Sequence, residues 1–145
     1  MTIVIDANLA IGAVIQQAET LEIVSIFRFW RRDGERLIAP FLLEYEVVSA
    51  LRRIITIGML DQRAATKALD AIHGLDIDLI APDHDLDKSA LLFAERIGQS
   101  KAYDAQYLAL ASRENAPLWT ADRRLVSAAQ SAGLGWVHWV GDWSA

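Results

Sequence analysis

At 145 residues, 53% of them hydrophobic, the chain can fill one sizeable core, so a single domain spanning residues 1–145 is expected. A net charge of −5 and a pI near 5.1 exclude a uniformly basic nucleic-acid surface, and the lack of cysteine excludes disulfides and thiolate metal sites. No apolar run approaches the roughly 20 residues that span a bilayer, and the start MTIVID has neither a basic segment nor a small-residue cleavage site, so the cytoplasm is the expected compartment.

The first element is a short apolar run, Ile3–Ile5, that ends directly in the carboxylate of Asp6. Helical patterns follow over Leu9–Gln17 and Thr20–Arg32, and Arg28, Arg31, Arg32 and Arg36 near the second read as a solvated face. A strand is expected at Leu37–Ala39. The next helix, Phe41–Ile57, carries Glu46 with Leu42 and Ala50 at i−4 and i+4, so this acid borders the apolar stripe, whereas Glu44 projects elsewhere. A helix over Asp61–His73 and a strand over Ile77–Ile80 come next. The helix Asp83–Ile97 opens on Asp83, Asp85 and Asp87, spaced like the start of a calcium-binding loop. Such a loop needs Gly at its sixth position and Glu at its twelfth. Here those are Lys88 and Ala94, so the acids are read as favouring the helix N-terminus. Asp104 lies near the start of the helix Ala102–Glu114, with Leu108 and Ala111 on its own face. Asp122 stands two residues past the strand Leu118–Thr120, within the helical stretch Ala121–Ala132, and the last strand is Trp136–His138. Trp136, Trp139 and Trp143 crowd the C-terminus and read as packing, or as a subunit or partner surface.

Strands that alternate with helices need crossover connections, which predicts an α/β fold with a mostly parallel five-stranded sheet flanked by helices. Ligands of such sheets bind at the carboxyl ends of the strands. Taken singly, each acid there has a local explanation. Asp6 and Asp122 could cap helices, Glu46 could pair with Arg53, and Asp104 could serve a helix N-terminus. Taken together, all four can reach one cleft. Carboxylates at close range disfavour each other's ionisation, and a divalent cation removes that cost. Mg²⁺ or Mn²⁺ suits an all-oxygen site, and such a site is suited to phosphodiester cleavage.

The segments VIDAN, LLEYEVVSALRR, YDAQYLALA and TADRRL, in this order over essentially the whole chain, strongly resemble the PIN-domain ribonucleases, with the VapC-type toxins of toxin–antitoxin pairs the nearest likeness. The resemblance implies a single PIN-like domain acting as a metal-dependent endoribonuclease on RNA. It carries the acidic residues over to Asp6, Glu46, Asp104 and Asp122. Asp6 and Asp104 would be the main metal ligands, Asp122 would complete the site, and Glu46 would bind a second ion or orient the attacking water. Ser49 stands where the family usually has Asn three residues after the helical Glu, and it can still donate a hydrogen bond to a carboxylate. Thr120, at the strand end, is placed to support the acids in the same way.

A cognate antitoxin is implied as partner. A cation from it would plug the acidic cleft, and an apolar segment would lie in a groove walled by the helices at 20–32 and 41–57. The apolar fraction, the tryptophans and the resemblance together predict a homodimer. A haloacid-dehalogenase-type phosphatase needs a second Asp where this chain has Asn8. A phospho-receiver needs paired acids near the first strand and a Lys after the last strand, and both are missing. A catalytically silent PIN fold acting as a binding module is the remaining alternative, against which the four intact acids argue.

Overall fold

In the computed structural model, which describes residues 1–16 and 19–145, the apolar run at the start becomes β1 (Thr2–Ile5), the middle strand of the sheet. Its Ile3, Val4 and Ile5 are fully buried, as a strand covered on both faces requires. Val4 pairs with Ile38 of β2 (Arg36–Pro40) on one side and with Leu118 of β4 (Leu118–Thr120) on the other. Beyond these lie β3 (Asp78–Ile80) and β5 (Val137–Trp139), giving the order β3-β2-β1-β4-β5 with every pairing parallel.

The helices are α1 (Ala7–Gly12), α2 (Thr20–Arg32), α3 (Leu42–Thr56), α4 (Gln62–His73), α5 (His84–Arg96), α6 (Tyr103–Arg113) and α7 (Arg123–Ser131), with a 3-10 turn at Val140–Asp142. All five strands and seven helices expected from the sequence are present, with displaced ends. Helix α1 starts at Ala7, because Asp6 is its N-cap, and ends at Gly12; Gln17, where it was expected to end, lies outside the described residues. Asp122 is likewise extended and caps α7, which therefore starts at Arg123. Helix α3 stops where Gly58 takes φ +81°, so that Met59 and Gly58 donate back to Ile54 and Ile55.

Helix α6 is buried nearly all round: Ala105, Tyr107, Leu108, Ala109, Leu110 and Ala111 are all inaccessible. It packs on β1 and β2 and pairs with α5, so it fixes Asp104 against the centre of the sheet. Asp83 caps α5, accepting from the Leu86 N–H at 2.8 Å, which bears out its reading as a helix-start acid. Arg32 and Arg36 pair with Asp33 and Asp78 at exposed sites, as ordinary solvated residues do. The C-terminal tryptophans pack: Trp136 meets Phe93 edge-on, Trp143 meets Phe29, and Trp139 lies under the Arg123 guanidinium. Among the described residues, no helix is long and apolar enough to cross a membrane.

Candidate active site

The chain moves outward from β1 to β2 and β3, then returns to lay β4 and β5 on the opposite side. The direction of winding reverses between β1 and β4, and a crevice opens at such a reversal beyond the strand ends. Asp6 follows β1 there and Asp122 follows β4. Glu46 is brought in by α3 and Asp104 by the first turn of α6. All four line one cleft of about 250 Å³, together with Asn8, Ser49, Arg53 and Tyr107.

Each acid is also held by its own neighbours. Asp6 is 7% exposed, and its Oδ1 accepts the Leu9 N–H at 2.9 Å while its Oδ2 accepts the Thr120 hydroxyl. Thr120 is fully buried, and its Oγ1 in turn accepts the Asp122 N–H at 2.9 Å, so one hydroxyl ties the ends of β1 and β4 together. Asp122 Oδ1 accepts the N–H groups of Arg124 and Leu125 at 2.9 and 3.3 Å. Glu46 Oε1 accepts the Tyr107 phenol at 2.6 Å, and Asp104 Oδ2 accepts the Gln99 amide at 2.9 Å. The local explanations of Asp6 and Asp122 are therefore true without removing either from the cleft. The alternative for Glu46, an ion pair with Arg53, is absent among the described residues, although Arg53 lines the same cleft. Ser49 also lines it, but the acids take their hydrogen bonds from other donors.

The electrostatics follow from burial and crowding. The Asp6 carboxyl is pushed up to about 7, chiefly by burial and further by Asp122 and Glu46, against the opposing hydrogen bonds from Thr120 and Leu9. Burial also raises Glu46, with Asp104 adding to the rise and the Tyr107 hydrogen bond opposing it. The Tyr107 phenol is driven up by burial first and by the charge of Glu46 next, so it stays protonated and donating. Among the described residues no cation pairs with Asp6, Glu46 or Asp104. Asp122 has only Arg124 Nε at 3.9 Å, on a side chain 96% exposed.

The cleft is thus a set of hard oxygen donors whose lining cation, Arg53, forms no ion pair with them, and this is the donor chemistry that suits Mg²⁺ or Mn²⁺. No three acids among the described residues already stand together as a ligand set. The fit is therefore to a hydrated ion held through one or two carboxylates, the usual habit of Mg²⁺. Reasoning from the sequence alone missed Tyr107 and Gln99. Tyr107 had a readable signal, a polar ring three residues after Asp104 on the same inward helix face. Gln99 sits in the loop between α5 and α6, where no periodicity marks it.

Residues 4–136 match the family model described as "PIN domain". A VapC ribonuclease of Mycobacterium bovis is 29% identical over 133 residues, covering 89% of this chain and 92% of that protein. Among solved structures, PAE2754 of Pyrobaculum aerophilum superposes with a TM-score of 0.71 at 23% identity, over 97% of this chain and 85% of that one. A toxin–antitoxin complex from Klebsiella pneumoniae gives 0.66 at 16% identity, over 93% and 94%.

Proposed function

The chain belongs to the PIN-domain family, and from that premise we propose that it is a metal-dependent endoribonuclease, the toxin of a toxin–antitoxin pair that works in the cytoplasm. The observation that carries this reading is the cleft itself, lined by four carboxylates from four separate elements, with no ion pair to Asp6, Glu46 or Asp104 among the described residues. The VapC ribonuclease named above supports the same reading.

In this reading Asp6 and Asp104 hold Mg²⁺ or Mn²⁺, and Asp122 completes the site. When bound, the ion supplies a lowered pKa for water and neutralisation of the phosphate charge. The chain's own residues do the rest. Thr120 fixes the Asp6 carboxylate so that its orientation is set before substrate arrives. Glu46 orients the attacking water and takes its proton, a role that suits a carboxylate raised by burial. Tyr107 holds Glu46 in place and moderates that rise. Arg53, the cation of the cleft lining, contacts a phosphate of the RNA.

The antitoxin reading gains support from an apolar groove of about 790 Å³ between α3 and α4 over β3, lined by Leu43, Val47, Val48, Leu69, Ile72 and Leu79. Helix α3 is one of the two expected walls, and α2 does not line this groove. The protein acts as a homodimer.

The decisive test is Asp104→Asn. The variant should fold at least as well as the parent in chelator, because it removes one of four crowded charges. Its Mg²⁺-dependent cleavage of RNA should fall by several orders of magnitude. A stable variant cutting at the parent's rate would overturn the assignment.

A further inference from the structure

A further pocket lies along α7, the helix whose N-cap Asp122 lines the acidic cleft. It has a volume of about 390 Å³ and is formed by Arg123, Arg124, Ser127, Gln130, Trp139 and Asp142, with Val126 beneath. Arg123, Ser127 and Gln130 form one stripe of α7, at i, i+4 and i+7, and this stripe faces Trp139 of β5. The Arg123 guanidinium lies over the Trp139 ring at 4.0 Å from its centroid, yet the side chain is exposed and has no acidic partner among the described residues. Arg124 beside it is almost fully exposed, with Asp122 its one ion-pair partner at 3.9 Å. In a chain of net charge −5, two exposed guanidinium groups one and two residues from a proposed catalytic acid are out of keeping with the surface around them.

We propose that this pocket is a nucleotide subsite, which seats the nucleotide of a single-stranded RNA next to the scissile phosphate. The inference rests on the ribonuclease reading and extends it to how the strand is held. A guanidinium seated over an indole ring and exposed on its outer side can stack with a base, the contact by which unpaired RNA bases are commonly bound. Arg124 is free to take the backbone phosphate. Ser127 and Gln130 supply neutral hydrogen-bonding groups for the base edge. Asp142 repels a phosphate but accepts from a base amino group or a 2′-hydroxyl, so it orients the nucleotide with its base inward.

The experiment compares the parent with the double variant Arg123→Gln/Arg124→Gln, and with Arg63→Gln/Lys67→Gln on α4 as a charge-matched control. Cleavage of an unstructured RNA dodecamer is followed in Mg²⁺. Binding of the same dodecamer, fluorescein-labelled, is followed by anisotropy in the Asp104→Asn background. The double variant should raise KM about tenfold with kcat within about twofold, weaken binding by the same factor, and flatten the salt dependence of binding by a slope of about 1. Trp139→Phe, which keeps a ring under Arg123, should fall between parent and double variant. If RNA is cut and the double variant keeps the parent's KM and affinity, the subsite is wrong and the ribonuclease reading stands. If the parent cuts no RNA yet binds it in an Arg123-dependent way, the ribonuclease reading fails and the subsite stands. A double variant that only melts earlier, with KM and affinity unchanged, would make the Arg123–Trp139 pair a packing contact and overturn the proposal.

Discussion

Asp6 answers two demands at once. As a cap it must be ionised to accept well from Leu9, yet its burial among other acids favours the proton. Its carboxyl is near 7 when folded against an ordinary 3.8. Between those pH values the folded chain binds more protons than the unfolded one, so this residue's contribution to stability falls as pH rises through the interval. The gap corresponds to roughly 4 kcal/mol. Asp6→Asn, melted in chelator, should therefore gain on the parent at pH 8 and match it near pH 4; equal gaps at both pH values would contradict the burial argument. Tyr107→Phe acts in the opposite sense on Glu46. It removes a hydrogen bond that favours the carboxylate, so Glu46 rises further, and the acid limb of kcat/KM should move to higher pH. An unmoved limb would take Glu46 out of the proton transfer. The contrast between these residues marks what was legible in the sequence. Asp6 was readable because a charge at the end of an apolar strand violates a strong pattern. Tyr107 carried only its spacing from Asp104, because a buried aromatic on an apolar helix face satisfies the pattern, and only the fold reveals that its hydroxyl meets a residue 61 positions away.

The elements were readable because strands of three to five residues alternate with helices of clear period, and their ends were less so. At two of the displaced helix starts an acid stood at the boundary and served as cap and cleft residue together, as Asp6 and Asp122 do. The C-terminal turn was opaque for a different reason. Three tryptophans in eight residues announce packing without saying against what. Gly141 decides the placement of one of them: a Cβ there would lie 2.3 Å from Cη2 of Trp139, so the indole can fold over the turn only because position 141 has no side chain. Gly141→Ala should displace the ring, cost about 1–3 kcal/mol by overpacking, and change the near-ultraviolet circular dichroism of the tryptophans. An unchanged spectrum with unchanged urea midpoint would show that the ring is not confined by the turn.

At the scale of the molecule, several large apolar side chains remain uncovered, among them those on α3 and α5. Tyr45 and Val48 of α3 are 74% and 55% exposed beside the α3–α4 groove, and Leu91 and Leu92 of α5 are 71% and 62% exposed. Two adjacent leucines in water on one helix suit a second copy of the chain better than solvent. Leu91→Glu/Leu92→Glu should therefore shift sedimentation from dimer to monomer while leaving the fold intact; a parent that already sediments as a monomer at micromolar concentration would contradict this. The strand order carries the last consequence. The hydroxyl of Thr120 reaches Asp6 across 114 positions, and β4 enters the sheet beside a strand made at the very start of the chain. During synthesis β1, β2 and β3 can pair while one edge of β1 stays open, awaiting a partner that emerges near the end. The four carboxylates consequently come together only once residues 118–122 have joined β1. Any polypeptide shorter than this leaves Asp6 without Thr120 and the cleft without Asp122, and so lacks the site.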